Sequence, residues 1–208
     1  VASELAILWA QEFGCSLTGI SVVNERRILL PQPEESISES ERREDQVRKA
    51  REVADQYLES FAKLCRDNHI TVSTSRETGK SAEQILREIQ RHDVLLLGRE
   101  TDFHSLATPN ASLERVLRNS PRPVVTVPLS LPQGKDVLVA YDAHPASSRA
   151  LAALLQSGIA TSRKIHVACV REQMQQAKSD ISLAIDYLAS RDLEAVSYTH
   201  LRAHETPM

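Results

Sequence analysis

Residues 93–128, DVLLLGRETDFHSLATPNASLERVLRNSPRPVVTVP, decide the fold class of this 208-residue chain. An apolar run ends at Gly98 and is followed by a polar loop, a helical pattern and a second apolar run at residues 124–127. In open parallel sheets, a strand that ends at a glycine and leads into a helix presents main-chain N–H groups to phosphates. The stretch therefore predicts a βαβ unit and raises the question of a nucleotide site.

Strands and helices alternate along most of the chain, which is typical of parallel sheets built from right-handed βαβ units. Apolar runs predict strands over residues 16–23, 70–75, 94–97, 124–127, 136–141 and 165–170. Helical spacing predicts helices over residues 1–13, 37–68, 81–91, 145–158 and 172–193, and one more after the Gly98 loop. Ser81-Ala-Glu-Gln84 predicts a capping box, and Thr108-Pro109 predicts the start of the helix after that loop. The predicted fold class is α/β, an open parallel sheet with helices on both faces.

Composition restricts the kinds of partner. The net charge of −3 and the pI near 6.2 leave no electrostatic footprint for nucleic acid or anionic lipid. No apolar run reaches the roughly 18 residues of a membrane-spanning helix, and no signal-peptide pattern is visible. Cys15, Cys65 and Cys169 are odd in number and far apart, which favours reduced thiols over a disulfide framework or a metal site. We therefore expect a cytoplasmic protein with no nucleic-acid or membrane partner and no metal.

Both ends of the sequence depart from what an intact domain would carry. Residues 196–206, VSYTHLRAHET, resemble one reading frame of a transposase-type sequencing adaptor, so we expect residues 196–208 to be a non-native tail. His200 and His204 are spaced like a metal-ligand pair but fall inside this tail. At the other end the chain opens on a helical pattern, whereas a parallel α/β domain begins with a strand. We therefore expect a truncated first domain.

Four segments of the sequence resemble the universal stress protein family. ISVVNERRI at residues 20–28 resembles the family's second strand and the turn after it, and LLLG at residues 95–98 resembles the strand that ends at the phosphate loop. RVLRNSPRPVVTVP at residues 115–128 resembles the closing helix, the proline turn and the last strand. VLVAYDAHPASSRAL at residues 137–151 resembles the opening strand with its Asp and the helix that follows. Their order and spacing imply a tandem pair of such domains over nearly all of residues 1–195.

This resemblance implies a Rossmann-like fold of the adenine nucleotide alpha hydrolase type, with five parallel strands in the order 3-2-1-4-5. It implies a first domain over residues 1–128 without its first strand, a linker at 129–134, the N-terminal part of a second domain at 135–195, and the tail at 196–208. The absent strand is the central one. We therefore expect strands two and four of the first domain to face a gap that is either left open or closed by a non-native pairing.

A weakened phosphate loop is also implied by the resemblance. The family's nucleotide-binding members carry Gly, two residues, Gly, nine residues, and then Gly-Ser or Gly-Thr. In that register this chain has Gly98, Thr101, Ala111 and Ser112, so the spacing is kept while two of the three glycines are replaced. Glycine lets the main chain approach a phosphate and adopt positive φ. ATP is therefore the one expected cofactor, bound more weakly than in members with the full motif.

The resemblance also implies residues around the adenine. Val22 and Leu97 would contact the base in the first domain. Asp142 and Val167 hold the matching positions of the second domain, whose phosphate loop would lie beyond residue 195.

The function implied is that of a stress-response regulator or sensor of the universal stress protein type, not an enzyme, acting through domain pairing. In the family the last strand, here residues 124–127, is an edge that pairs two domains antiparallel, and edge strands readily template such pairing. The expected partner is a second copy or a second domain of the same chain. Two alternatives stay open: a regulatory cytosolic segment of a transporter or sensor kinase, and an adenylylating enzyme of the related superfamily. The enzyme would require intact phosphate-loop glycines and a polar substrate site.

Overall fold

A computed structural model describes residues 1–28, 37–98, 109–131, 134, 136–161 and 163–201. It divides the chain into two compact units, Val1–Leu131 and Pro132–Met208.

The first unit alternates helices and strands, as the sequence predicts. Its elements are α1 (Ala2–Phe13), β1 (Leu17–Val23), α2 (Glu25–Ile28), α3 (Ile37–Asp67), β2 (Val72–Thr78), α4 (Ser81–Glu88), a 3-10 turn (Ile89–Arg91), β3 (Leu95–Gly98), α5 (Pro109–Asn119) and β4 (Val124–Val127). β1 pairs with β2, and β3 pairs with β4, in both cases in parallel. The α/β class with parallel strands is therefore confirmed.

The described strands of the first unit form two separate two-stranded sheets, not one continuous sheet. β1 and β3 correspond to the second and fourth strands of the predicted order, and no described strand lies between them. The expected gap between these two strands is therefore left open, and no non-native pairing closes it among the described strands. Ile20 and Val22 of β1 nevertheless pack against the apolar cluster that contains Leu95 and Leu97 of β3. The two sheets therefore share one core.

Helices lie against both faces of β1, whose alternate side chains point to opposite sides. Leu17 packs with Ile7 of α1 and the fully buried Cys65 of α3. Ile20 and Val22 point the other way, toward the cluster built by α4 and α5. Burial raises the pKa of the Cys65 thiol, which keeps it protonated and unreactive at neutral pH.

The predicted capping box at Ser81–Gln84 is wrong. Ser81 is already the first helical residue of α4, and Lys80 occupies the cap position with no side-chain cap hydrogen bond. The helix therefore begins one residue too early for the Ser81 hydroxyl to serve as its cap. Gln84 instead lies against Gly79, where an added Cβ would stand 2.9 Å from the Gln84 amide nitrogen.

The second unit contains three parallel strands in the order β5-β6-β7. Its elements are β5 (Val137–Ala140), α6 (Pro145–Gln156), β6 (Ile165–Arg171), α7 (Met174–Ala189) and β7 (Ala195–Leu201). α6 and α7 pack on one face of this sheet. That core contains Leu151 of α6, Leu188 of α7, and Ile165, Val167 and Cys169 of β6.

Strand β7 is an element that the sequence analysis missed. Residues 196–201 belong to the stretch set aside as a tail, yet residues 195–201 pair with the full length of β6. The stretch holds Val196, Tyr198 and Thr199, residue types that suit a strand. Residues of these types can form a strand whatever the origin of the sequence. The presence of β7 therefore neither supports nor opposes the expectation that residues 196–208 are a non-native tail.

Candidate functional site

The carboxyl ends of β1 and β3 hold the residues expected near an adenine in the first unit. Val22 is the penultimate residue of β1, half-buried, and Leu97 is the penultimate residue of β3, 5 % exposed. Both side chains belong to the same apolar cluster, so the structure brings the two residues together. Because the Leu97 side chain is directed into that core, a ligand at this edge would meet the main chain of β3 and not this side chain.

Gly98 ends β3, and its Cα lies opposite Val127 at the end of β4. Among the glycines that the structure describes, positive φ is found at Gly14, Gly79 and Gly158, and Gly98 is extended as part of its strand. Thr101 falls within residues 99–108, outside the described residues. The structure therefore describes the strand end that leads into the expected phosphate loop and the helix that follows it.

Helix α5 begins at Pro109, where the Thr108-Pro109 pair predicts it. Ala111 and Ser112 consequently lie in the first turn of this helix. Counted from the cap residue, the first four N–H positions of a helix have no intrahelical acceptor, so the main-chain N–H of Ala111 is available to a cap or to an anion. Ser112 is the fourth helical residue, the position whose N–H donates to the carbonyl of the cap residue in α1, α4 and α6. The side chains of Ala111 and Ser112 are outside the described part of the chain.

Asp142 follows β5 at the carboxyl edge of the second unit's sheet and is exposed. Its Oδ1 accepts a hydrogen bond of 2.6 Å from the Ser147 hydroxyl and one of 3.1 Å from the His144 main-chain N–H. These two bonds, the Ser147 bond first, hold the pKa of Asp142 below its ordinary value of 3.8. The carboxylate is therefore charged at neutral pH and fixed in orientation.

Arg171 is a site residue that the sequence analysis missed. It ends β6, and its Nε donates a 2.7 Å hydrogen bond to Asp180 Oδ2 on α7. Its guanidinium also donates to the main-chain carbonyl of Asp142. The bond to Asp180, above all, raises the pKa of Arg171. The Arg171 guanidinium thus links the end of β6, the loop after β5 and helix α7. In the sequence, the feature that could have indicated this residue is an arginine directly after an apolar run.

Val167 does not occupy the place in its unit that Val22 occupies in the first. β1 and β6 are both seven-residue strands paired in parallel along their full length with the next strand. Counted from the first paired residue, Val22 is sixth in β1, and the sixth residue of β6 is Val170. Val167 is fully buried against α6 and α7, whereas Val170 is 56 % exposed on the opposite face. The structure therefore assigns Val170, not Val167, as the counterpart of Val22.

The turn after Asp142 holds Ala143 in the left-handed region, with φ of 53°. A non-glycine residue in this region is strained by about 1–2 kcal/mol. Glycine removes this strain, but it loses more conformational entropy on folding, so only part of the strain energy is gained as stability. We expect Ala143→Gly to raise the free energy of unfolding of the second unit by about 0.5–1 kcal/mol. The matched change Ala150→Gly, at an exposed position inside α6, should lower it by about 1 kcal/mol. Urea unfolding of both variants measures the contrast, and a loss of stability in Ala143→Gly would contradict the observed turn.

The described residues contain no group of three or more His, Cys, Asp or Glu side chains that could hold a metal ion. Among the helices of the same residues, none is both long enough and apolar enough to cross a membrane.

The fold is that of the universal stress proteins, so the resemblance drawn from the sequence motifs is confirmed at the level of the fold. The chain is similar to the crystal structure of a universal stress protein from Archaeoglobus fulgidus DSM 4304, with a TM-score of 0.67 and 17 % sequence identity. The similarity covers 97 % of this chain and 75 % of that one. No protein-family model and no curated protein sequence matches the chain.

Proposed function

We propose that this protein is a non-catalytic regulator or sensor of the universal stress protein type, which acts through pairing of domains and binds adenine nucleotide weakly. The observation that carries the proposal is the fold, which 97 % of the chain shares with a solved universal stress protein. Open parallel sheets of this kind bind ligands at the carboxyl ends of their strands. The cytoplasm is the compartment that we propose for it, because the cysteines Cys65 and Cys169 are buried free thiols.

Nucleotide binding is supported by the elements around the phosphate loop. β3 ends at Gly98, and α5 supplies a first-turn N–H group at Ala111. Helix N-termini favour phosphate through these groups and the helix dipole. Thr101 and Ala111 place side chains where the family's motif has glycine, so the main chain approaches a phosphate less closely. The proposed affinity is accordingly weak.

Pairing is supported by the position of β4 at a sheet edge. Leu95 N–H donates to the Pro123 carbonyl at 3.0 Å, and Leu95 lies opposite Val124. In a parallel ladder, alternate residues direct their main-chain groups to the same neighbour. Val125 therefore bonds β3, while Val124 and Thr126 direct their main-chain groups away from it. These outward groups form the edge that we propose pairs with β4 of a second copy.

Equilibrium dialysis of radiolabelled ATP against the full chain tests nucleotide binding. We expect a dissociation constant at or below about 1 mM, which corresponds to about −4 kcal/mol. Gly98→Ala should weaken binding by about tenfold or more because a Cβ then stands at the strand end. Gly134→Ala is the matched control, since no heavy atom lies within 4 Å of its added Cβ.

Three outcomes decide this proposal. Affinity weaker than millimolar would overturn nucleotide binding. Equal affinity of Gly98→Ala and Gly134→Ala would overturn the location. If ADP or pyrophosphate were released from ATP faster in the presence of the protein than in its absence, the non-catalytic assignment would be overturned.

A further inference from the structure

An apolar groove lies between α1 and α3 of the first unit. The two helices pack on the same face of β1 and share a core that contains Ile7, Ala10 and Cys65. At their C-terminal ends, Nε2 of Gln11 on α1 donates a hydrogen bond of 3.4 Å to Oδ1 of Asn68, the residue directly after α3. This bond shows which sides of the two helices face each other.

The facing sides carry exposed apolar side chains. Residues three, four or eleven positions apart lie on one side of an α-helix. Leu8 therefore shares a side of α1 with Gln11, while Tyr57 and Leu64 share a side of α3 with Asn68. Exposed apolar residues that form a continuous row, unlike single ones, indicate a binding surface. Four residues line what we call the helix groove: Leu8 at 52 % exposure, Val53 at 47 %, Tyr57 at 72 % and Leu64 at 39 %.

Two lysines flank the α3 side of the helix groove. Lys49 and Lys63 are two heptads apart, so they lie on the same side of α3. That side is adjacent to the row formed by Val53, Tyr57 and Leu64 and is turned toward solvent. Both lysines are exposed, and neither forms an ion pair among the described residues. The helix groove therefore has a basic flank whose two cations are open to a partner.

We propose that the helix groove binds one amphipathic helix of another protein, with acidic residues beside Lys49 and Lys63. Helices bind to apolar grooves through side chains spaced three, four and seven residues apart. The row from Val53 to Leu64 is about 16 Å long, which accommodates about three turns of a bound helix. Lys49 and Lys63 lie about 21 Å apart along α3, so the acidic residues of the partner are separated by about four turns.

Two other occupants fit the helix groove less well. In an antiparallel pair of α3 helices from two copies, Lys49 of one copy would lie beside Lys63 of the other, because each is seven residues from Gln56. Like charges in such positions oppose the pairing. A lipid surface is recognised by clusters of about four to eight basic residues, whereas two flank this groove.

Fluorescence anisotropy of two labelled synthetic peptides with the full chain tests the proposal. The first peptide is a helix of about 18 residues with leucine along one face and two glutamates about four turns apart beside that face. The second has lysine in place of the two glutamates. We expect one glutamate peptide to bind per chain, about fivefold or more tighter than the lysine peptide, because two attractive charge pairs become repulsive. Lys49→Glu and Lys63→Glu together should reverse this preference.

Serine variants locate the bound peptide. Tyr57→Ser should weaken binding of the glutamate peptide by about tenfold or more, because Tyr57 is the most exposed side chain of the row and loses that exposure on binding. Leu64→Ser should weaken it by about threefold or more. Leu117→Ser makes the same change on α5, at 47 % exposure and outside the helix groove, and should leave binding unchanged.

The outcomes distinguish the three occupants. Reversal of the peptide preference by the double lysine change, together with weaker binding in Tyr57→Ser, supports the proposal. No saturable binding at millimolar peptide, equal affinity for the two peptides, or equal effects of Leu64→Ser and Leu117→Ser would overturn it. Self-association that Tyr57→Ser abolishes would assign the groove to a second copy, and binding to phosphatidylglycerol vesicles that Tyr57→Ser abolishes would assign it to a membrane. Either result would also overturn the proposal.

Discussion

Thr126→Pro should turn a self-associating chain into a monomer and leave both units folded. The Thr126 N–H points away from β3, so proline at this position costs no hydrogen bond within the sheet. In a symmetric pair the substitution removes one donor from each copy. Loss of two hydrogen bonds at about 0.5–1.5 kcal/mol each weakens the pair by about 5- to 160-fold.

Sedimentation velocity over a wide range of chain concentration measures this change, since the chain has a mass of 23.2 kDa and a pair has twice that. Thr126→Val is the matched control because it keeps the N–H and should still associate. Val125→Pro is the opposite control: its N–H faces β3, so it should destabilise the first unit. A wild-type chain that stays monomeric at every concentration would contradict pairing through β4, as would a Thr126→Pro chain that associates like the wild type.

Leu188→Ala should destabilise the second unit by about 2–5 kcal/mol, the range for removing a fully buried leucine. Leu188 lies on α7, is 1 % exposed, and packs in the cluster that contains Ile165 of β6. Such a loss is a large fraction of the stability of a small domain. Leu183→Ala, on the same helix at 54 % exposure, makes the same chemical change and should stay within about 0.5 kcal/mol.

The thiol of Cys169 reports this destabilisation. It is 1 % exposed, and burial raises the pKa of the thiol, so alkylation requires opening of the unit. Leu188→Ala should speed alkylation of Cys169 by about 30-fold or more. The exposed thiol of Cys15 gives the rate without protection. Equal alkylation rates in Leu188→Ala and Leu183→Ala would contradict the packing of α7 on β6.

Much of the fold could be predicted from local patterns. Near-continuous apolar runs located β3 and β4, because a strand covered on both faces carries no alternation of polar residues. Thr108-Pro109 located the start of α5, since proline lacks only an N–H that the first turn leaves unbonded. The open gap beside β1 followed from the expected strand order. These features depend on neighbours in sequence or on topology.

The site was less predictable, because its details depend on register and on partners far apart in sequence. Val170 is identified as the counterpart of Val22 only by counting paired residues along β1 and β6. Val170 lies three positions after Val167, and an odd separation places the two side chains on opposite faces of the strand. Arg171 bonds Asp180 and the carbonyl of Asp142, 29 residues away. β7 was missed because its residues were judged by origin and not by strand propensity.

Hydrogen exchange of the full chain with and without ATP tests most directly whether nucleotide binds at the carboxyl edges of these sheets. We expect slower exchange around Gly98, at the end of β3, together with unchanged exchange at Leu17 and Leu95, where β1 and β3 begin. Slower exchange only at those starting residues, or no change at Gly98 with ATP above the millimolar range, would contradict it.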